Sequence, residues 1–258
     1  MLYFGSFNPV HKGHIALAEW VVAQGLCDEM ALIVSPQSPY KQDAALAPEL
    51  DRFEMAEAAC KASAYPDRIK PSVIELLLPR PSYTIDTLKR LEADYGAQYA
   101  FSILMGGDQL GRFDGWKSWE EILAYPVYVY PRRGSVVPDA LKDRITLLEG
   151  APLLDISATE IRRRIACGES ADALLHPEVA AYIRRKGLWA QAGTASAGDA
   201  AGELLRQGRE HYKRNEWGAA LNDFNRVLEL VPGQVEAQQY VEMIQEILAF
   251  RYTDIYNP

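Results

Sequence analysis

The 258-residue chain is 48% hydrophobic and 24% charged, a globular composition with ample apolar material for a core. A net charge of −8 and a pI near 5.1 exclude the broad basic surface of a non-specific nucleic-acid binder, yet leave room for a nucleotide in a local positive pocket. Three scattered cysteines (Cys27, Cys60, Cys167) give no metal spacing and no disulfide framework, which fits a reducing cytoplasm; the sequence has neither a membrane-length apolar run nor a signal-peptide pattern.

Leu2-Tyr3-Phe4 predicts a short buried strand that runs into "GSFNPVHKGH", a turn holding two of the four histidines. A helical stripe follows from Gly13 to Gly25, through Ile15, Leu17, Ala18, Val21 and Val22. "MALIVS" (30–35) predicts a strand covered on both faces, and "SPQSPYKQ" a loop broken by Pro36 and Pro39. Residues 48–62 predict a helix with Pro48 in its first turn, residues 69–78 contain a strand, and a helix runs from about Thr84 to Gly96. "YAFSILMGGDQL" (99–110) reads as the central strand, closed by Gly106-Gly107. Residues 117–125 form a short helix, 126–132 and 144–150 are strands, and helices follow at 157–168 and 176–189. This alternation predicts a doubly wound α/β fold with a mostly parallel, Rossmann-like sheet, whose ligands lie beyond the carboxyl ends of its strands. Both the histidine turn and the Gly-Gly-Asp turn follow strands and would face that crevice.

The composition changes at 190–202, a small-residue stretch with the character of a linker between a domain over 1–189 and a helical unit over 203–258. The unit resembles one tetratricopeptide repeat with a covering helix. Gly208 gives a close helix contact, Trp217, Ala220 and Phe224 pack the pair, and Pro232 ends it. A lone repeat buries its faces poorly, so it is expected on the first domain, on a second copy or on a protein partner.

His11-Lys12-Gly13-His14 can be read in three ways. A helix start offers N–H groups to an anion, and two imidazoles three residues apart share one side of the turn, which makes a phosphate cradle. The turn can also be a plain loop, or a zinc pair lacking a third ligand at suitable spacing. "ISATEIRRRI" (156–165) likewise reads either as a capped amphipathic helix or as an anion grip made of Ser157, Thr159 and Arg162 at a helix start.

Together, "GSFNPVHKGH" and "ISATEIR" resemble the paired signature of the nucleotidylyltransferase superfamily. "PSYTIDTL" and "GGDQLGRFDGW" are similar to its bacterial nicotinate-nucleotide adenylyltransferase branch. The resemblance covers residues 1 to about 189 and leaves the helical unit outside. It implies adenylyl transfer from ATP to nicotinate mononucleotide, giving deamido-NAD and pyrophosphate by direct in-line attack, with Mg2+ carried on the ATP phosphates and no metal held by the protein. It implies His11, His14 and Arg162 as catalytic. ATP would meet those three with Gly5, Ser6, Phe7, Gly106, Asp108, Ser157 and Thr159; Asp108 would take the ribose. Lys41, Thr84 and Trp116 would take the mononucleotide, with Thr84 in the pyridine pocket and Trp116 stacking on the ring. Ser38-Pro39-Tyr40-Lys41 stands where the branch usually has Pro-Pro-His-Lys, and Ala158 replaces a frequent serine. Relatives often carry a few more residues before Gly5, so the chain's start reads as short. Two other readings stand beside this one: a different phosphate acceptor, such as nicotinamide mononucleotide, and a scaffold working through the helical unit.

Overall fold

Period-two alternation sorts the strand side chains onto two faces. Tyr3, Leu32, Val34, Leu104 and Tyr130 enter one core cluster, while Leu2, Ile33, Ile103, Met105, Val127 and Val129 enter another. The strands that carry them are β1 (Leu2–Gly5), β2 (Met30–Val34), β3 (Ile69–Ser72), β4 (Ile103–Gly106), β5 (Val127–Tyr130) and β6 (Thr146–Leu147). A computed structural model describes residues 1–36, 46–132, 134–152, 155–190 and 197–255. Lys41 and its neighbours in "SPYKQ" lie outside the described residues.

The sheet order is β3-β2-β1-β4-β5-β6, and every pairing is parallel. The order reverses direction at β1, which pairs with β2 on one side and β4 on the other. In such a sheet the crevice at the reversal is where a ligand binds. The "mostly parallel" expectation is met by a wholly parallel sheet.

Both faces are covered. On one lie α1 (Lys12–Ala23), α2 (Glu49–Lys61), α5 (Ala158–Ala166) and α6 (Pro177–Lys186), through residues such as Ile15, Val21, Met55, Ile161 and Ile183. On the other lie α3 (Thr84–Tyr95) and α4 (Trp119–Ile122), through Ile85, Leu88, Leu91 and Ile122. Pro48 stands just before α2 rather than in its first turn. The strand expected from residue 99 forms only over 103–106, and residues 107–115 wind as a 3-10 helix. Glycines at 107, 111 and 115 weaken a regular α-helix there, which accounts for the tighter winding.

The tail forms α7 (Ala197–Lys213), α8 (Trp217–Leu230) and α9 (Val235–Ile255). Helix α7 therefore begins inside the stretch read as linker. Gly208 permits the α7–α8 approach: a Cβ there would sit 2.8 Å from the Phe224 ring. Phe224 stacks on Tyr240 of α9 at 4.4 Å. The unit rests on the α/β domain, because Leu50 of α2 is buried in one cluster with Ala220, Leu221 and Phe224. A cavity of about 960 Å³ opens beside this contact, lined by Leu76, Leu77, Arg80, Leu221 and Leu248.

Candidate active site

Strand β1 ends at Gly5 under the ring of Phe7; a Cβ on Gly5 would meet the Phe7 Cζ at 3.0 Å. Phe7 adopts φ 44 and is itself buried. This fold-over turns the chain from the strand into the histidine turn. The carbonyls of Gly5 and Ser6 face inward: Gly5 accepts from the Ser35 N–H at 2.9 Å, and Ser6 accepts from Arg52 at 2.7 Å.

Arg52 is wholly buried. Its guanidinium donates to the carbonyls of Ser6, Ser35 (2.5 Å), Pro36 (2.7 Å) and Ala47 (2.9 Å). Burial pulls its pKa down to about 10, so it is still charged at neutral pH. A buried cation that finds four carbonyl oxygens is compensated by their dipoles, and in return it fixes the loops at the ends of β1 and β2.

His11 caps the amino end of α1 and His14 closes its first turn. Their rings stack at 3.6 Å, with 20° between planes. The His11 N–H donates to His14 Nδ1 at 3.2 Å. That bond needs an unprotonated Nδ1, so the neutral His14 ring carries its proton on Nε2. Tyr3 and Phe7 meet the His14 ring edge-on. Burial first, then the charge of Arg132, hold His11 down to about 4. Burial, His11 and Arg132 hold His14 well below its usual value. The Nδ1 of His11 is buried without a partner among the described residues. Two neutral, crowded imidazoles beside a helix start suit an arriving anion, which would restore the favourable charge that burial removes.

Ser157 caps α5 and is exposed, and its hydroxyl makes no capping bond. Thr159, the second residue of α5, is exposed. Arg162 Nη1 donates to the Asn8 carbonyl at 2.8 Å, across 154 residues of sequence, and Nη2 reaches Thr159 Oγ1 at 3.4 Å. The histidine turn and the "ISATEIR" helix start therefore stand side by side. Lys12 strengthens the junction by donating to the Ala173 carbonyl at 2.9 Å.

Across the sheet reversal, β4 delivers Gly106 and Asp108. A Cβ on Gly106 would collide with Asp108 Oδ1 and lie 3.1 Å from the Tyr130 hydroxyl, so the glycine admits the carboxylate to the strand end. Asp108 is exposed and lies 3.8 Å from Arg132 Nε. The Tyr130 and Tyr3 hydroxyls are 3.3 Å apart, and Arg132 lies over the Tyr130 ring. The sequence reading passed over Arg132, Tyr130 and Arg52. Arg132 follows β5 at the same sheet edge as Gly5 and Gly106, which is the signal that would have flagged it. Arg52 shares the i, i+3, i+4, i+7 face of α2 with buried Met55, Ala56 and Ala59.

Farther along that edge, Thr84 is the first residue of α3, with Tyr83 in the capping position. Trp116 is half-buried, with its ring 5.4 Å from Phe113. Lys117 ties the two segments together: it pairs with Asp86 at 2.8 Å and lies over the Tyr83 ring.

A family model described as cytidylyltransferase-like matches residues 2–164. The chain belongs to the cytidylyltransferase-like family. Among its relatives, a probable nicotinate-nucleotide adenylyltransferase of Cytophaga hutchinsonii is 40% identical over 183 residues, covering 70% of this chain and 93% of the relative. One of Caldicellulosiruptor bescii is 34% identical over 199 residues, covering 73% and 97%. The Plasmodium falciparum nicotinic acid mononucleotide adenylyltransferase complexed with NaAD superposes with a TM-score of 0.62 at 18% identity, over 73% of this chain and 95% of that one, a likeness of fold. The family model thus covers the sheet and its helices as far as α5, and leaves α7 to α9 outside it.

Proposed function

We propose that the chain transfers the adenylyl group of ATP to nicotinate mononucleotide, giving deamido-NAD and pyrophosphate. The observation that carries this reading is the Arg162–Asn8 bond, which joins the histidine turn to the hydroxyl-bearing start of α5. In this reading the donors of His11, His14, Ser157, Thr159 and Arg162 all serve one triphosphate. The curated relatives named above support the acceptor.

In this reading the mononucleotide 5′-phosphate oxygen attacks the α-phosphorus of ATP as the bond to the bridging oxygen breaks, and pyrophosphate leaves. No side chain becomes covalently attached. His14 Nε2–H donates to the α-phosphate, where charge builds in the transition state, and His11 donates beside it. Ser157, Thr159 and Arg162 hold the β- and γ-phosphates, while Asp108 accepts from ribose hydroxyls. Thr84 and Trp116 take the pyridine ring, with Lys41 facing its phosphate. The side chains gathered here are chiefly donors, which fits Mg2+ held by the phosphate oxygens of ATP itself. The ion supplies neutralisation of phosphate charge. We take residues 1–189 as the transferase, 190–202 as its connection and 203–258 as an appended tetratricopeptide-like unit.

The test is dinucleotide formation from ATP, Mg2+ and either nicotinate or nicotinamide mononucleotide, read by chromatography. Deamido-NAD should form at least tenfold faster than NAD. Equal rates would remove the nicotinate preference, and no dinucleotide at all would remove the activity. In the same assay His14→Ala should lower turnover about a hundredfold with the fold intact, the cost of about 2.7 kcal/mol for one lost transition-state donor.

A further inference from the structure

Glu75 is a buried carboxylate that the reaction above does not use. It stands in a short 3-10 turn after β3, with 3% of its surface exposed. Among the described residues no lysine or arginine pairs with it. Three hydroxyls serve it instead: Thr87 Oγ1 donates to Oε1 at 2.9 Å, Ser82 Oγ reaches Oε2 at 3.3 Å, and the Ser35 side chain supplies the third. Burial raises its pKa and the three hydroxyls oppose that rise.

The partners come from two places. Ser35 follows β2, and its N–H is bonded to the Gly5 carbonyl, beside the histidine turn. Ser82 and Thr87 bracket the first turn of α3, which begins at Thr84. Thr87 is itself fully buried, and its hydroxyl also lies 3.4 Å from the Tyr83 carbonyl. A carboxylate at a helix amino end gains from the helix dipole, and hydroxyl donors replace the water it has lost. Solvent is shut out on the Glu75 side, whereas the outer side of the same turn is held by the exposed Lys117–Asp86 pair. Exposed pairs hold geometry weakly and buried charge-assisted bonds hold it well, so Glu75 is the stronger of the two anchors.

We propose that Glu75 is a positioning residue for the acceptor: it locks the first turn of α3, and with it Thr84, to the β1–β2 edge where the phosphates meet. This rests on the reading of Thr84 as part of the mononucleotide site. Glu75 touches neither substrate. It acts through Thr84, and its removal lets the pyridine pocket drift relative to the histidine turn.

The test uses the full chain. Thr87→Val removes one hydroxyl with little change in volume, and Thr87→Ser restores it. Glu75→Gln keeps the shape but puts an NH2 against hydroxyl donors. Thr87→Val and Glu75→Gln should each raise KM for nicotinate mononucleotide about tenfold, in line with the loss of one charge-assisted bond. KM for ATP should stay within about twofold, and Thr87→Ser should behave like the parent. Equal rises in both KM values, or no change in either with the melting temperature kept, would overturn the proposal. Amide hydrogen exchange on the ligand-free protein separates this outcome from a failure of the proposed activity. Residues 84–87 should exchange at least tenfold faster in Thr87→Val, with the strands of the sheet unchanged. Unaltered exchange there rules out the anchor whichever mononucleotide the enzyme uses. Should Glu75→Gln not fold, the threonine pair decides.

Discussion

The two imidazoles of the histidine turn give the site a pH signature whose sign follows from their burial. An unfolded chain holds His11 near 6.5, and the folded one holds it near 4. Between those values the unfolded state binds more protons, so acid favours unfolding. The stabilisation from a neutral His11 is fully present above pH 6.5 and drains away as pH falls toward 4. At about 1.36 kcal/mol per pH unit it amounts to about 3 kcal/mol, and His14 acts in the same direction. Denaturant midpoints measured from pH 7.5 to 4.5 should therefore fall more steeply in the parent than in His11→Asn, whose side chain does not titrate. A triphosphate reverses the effect, since phosphate oxygens beside the rings favour their charged forms. Calorimetry of ATP binding at pH 6 in buffers of different ionisation enthalpy should report proton uptake that vanishes by pH 8. Uptake independent of pH would contradict the assignment of neutral rings.

Between elements, the decisive join is α5 to the turn after β1. Arg162→Ala removes its bond to the Asn8 carbonyl and its reach toward the phosphates together. A loss of about 1.5–3 kcal/mol, or roughly ten- to a hundredfold in kcat/KM, is expected with a melting temperature close to the parent's. A fall in kcat/KM under threefold would free the two motifs from each other. The sequence announced both ends of this join, because glycine, histidine, hydroxyl and arginine at fixed spacing carry their chemistry on their faces. Strand positions were also legible, since β1, β2, β4 and β5 are apolar runs stopped by glycine, serine or proline. The strand expected over 144–150 is present as well, but it shrinks to Thr146 and Leu147, which are both exposed. The 3-10 winding after Gly106 has no period of its own to read. Arg52 and Glu75 were missed because a charged letter in an amphipathic stretch looks the same whether it faces water or a cluster of buried dipoles. Lys41 and its loop stand outside the described residues, and their expected role is carried by the resemblance alone.

At the scale of the whole chain, the helical unit covers α2, the helix that also carries Arg52. Leu50 is buried against Ala220, Leu221 and Phe224, and Phe53 packs partly on the same cluster. A charged seam runs alongside, with Tyr182 donating to Asp51 at 2.5 Å and Lys186 3.7 Å from the same carboxylate. A chain ending at residue 190 would expose Leu50 and part of Phe53, at about 2–4 kcal/mol. Its melting temperature should drop by about 5–10 °C while turnover per folded molecule is kept. An unchanged melting temperature would mean that the docking adds nothing to stability; a total loss of turnover in a folded chain would bring the tail into catalysis. The buried guanidinium of α2 has one more effect. Pro36 and Ala47 both rest their carbonyls on it. One side chain thus fixes two points eleven residues apart in sequence, just past the tip of β2 and just before α2, so that neither can shift without the other, as one peg holds two guy lines.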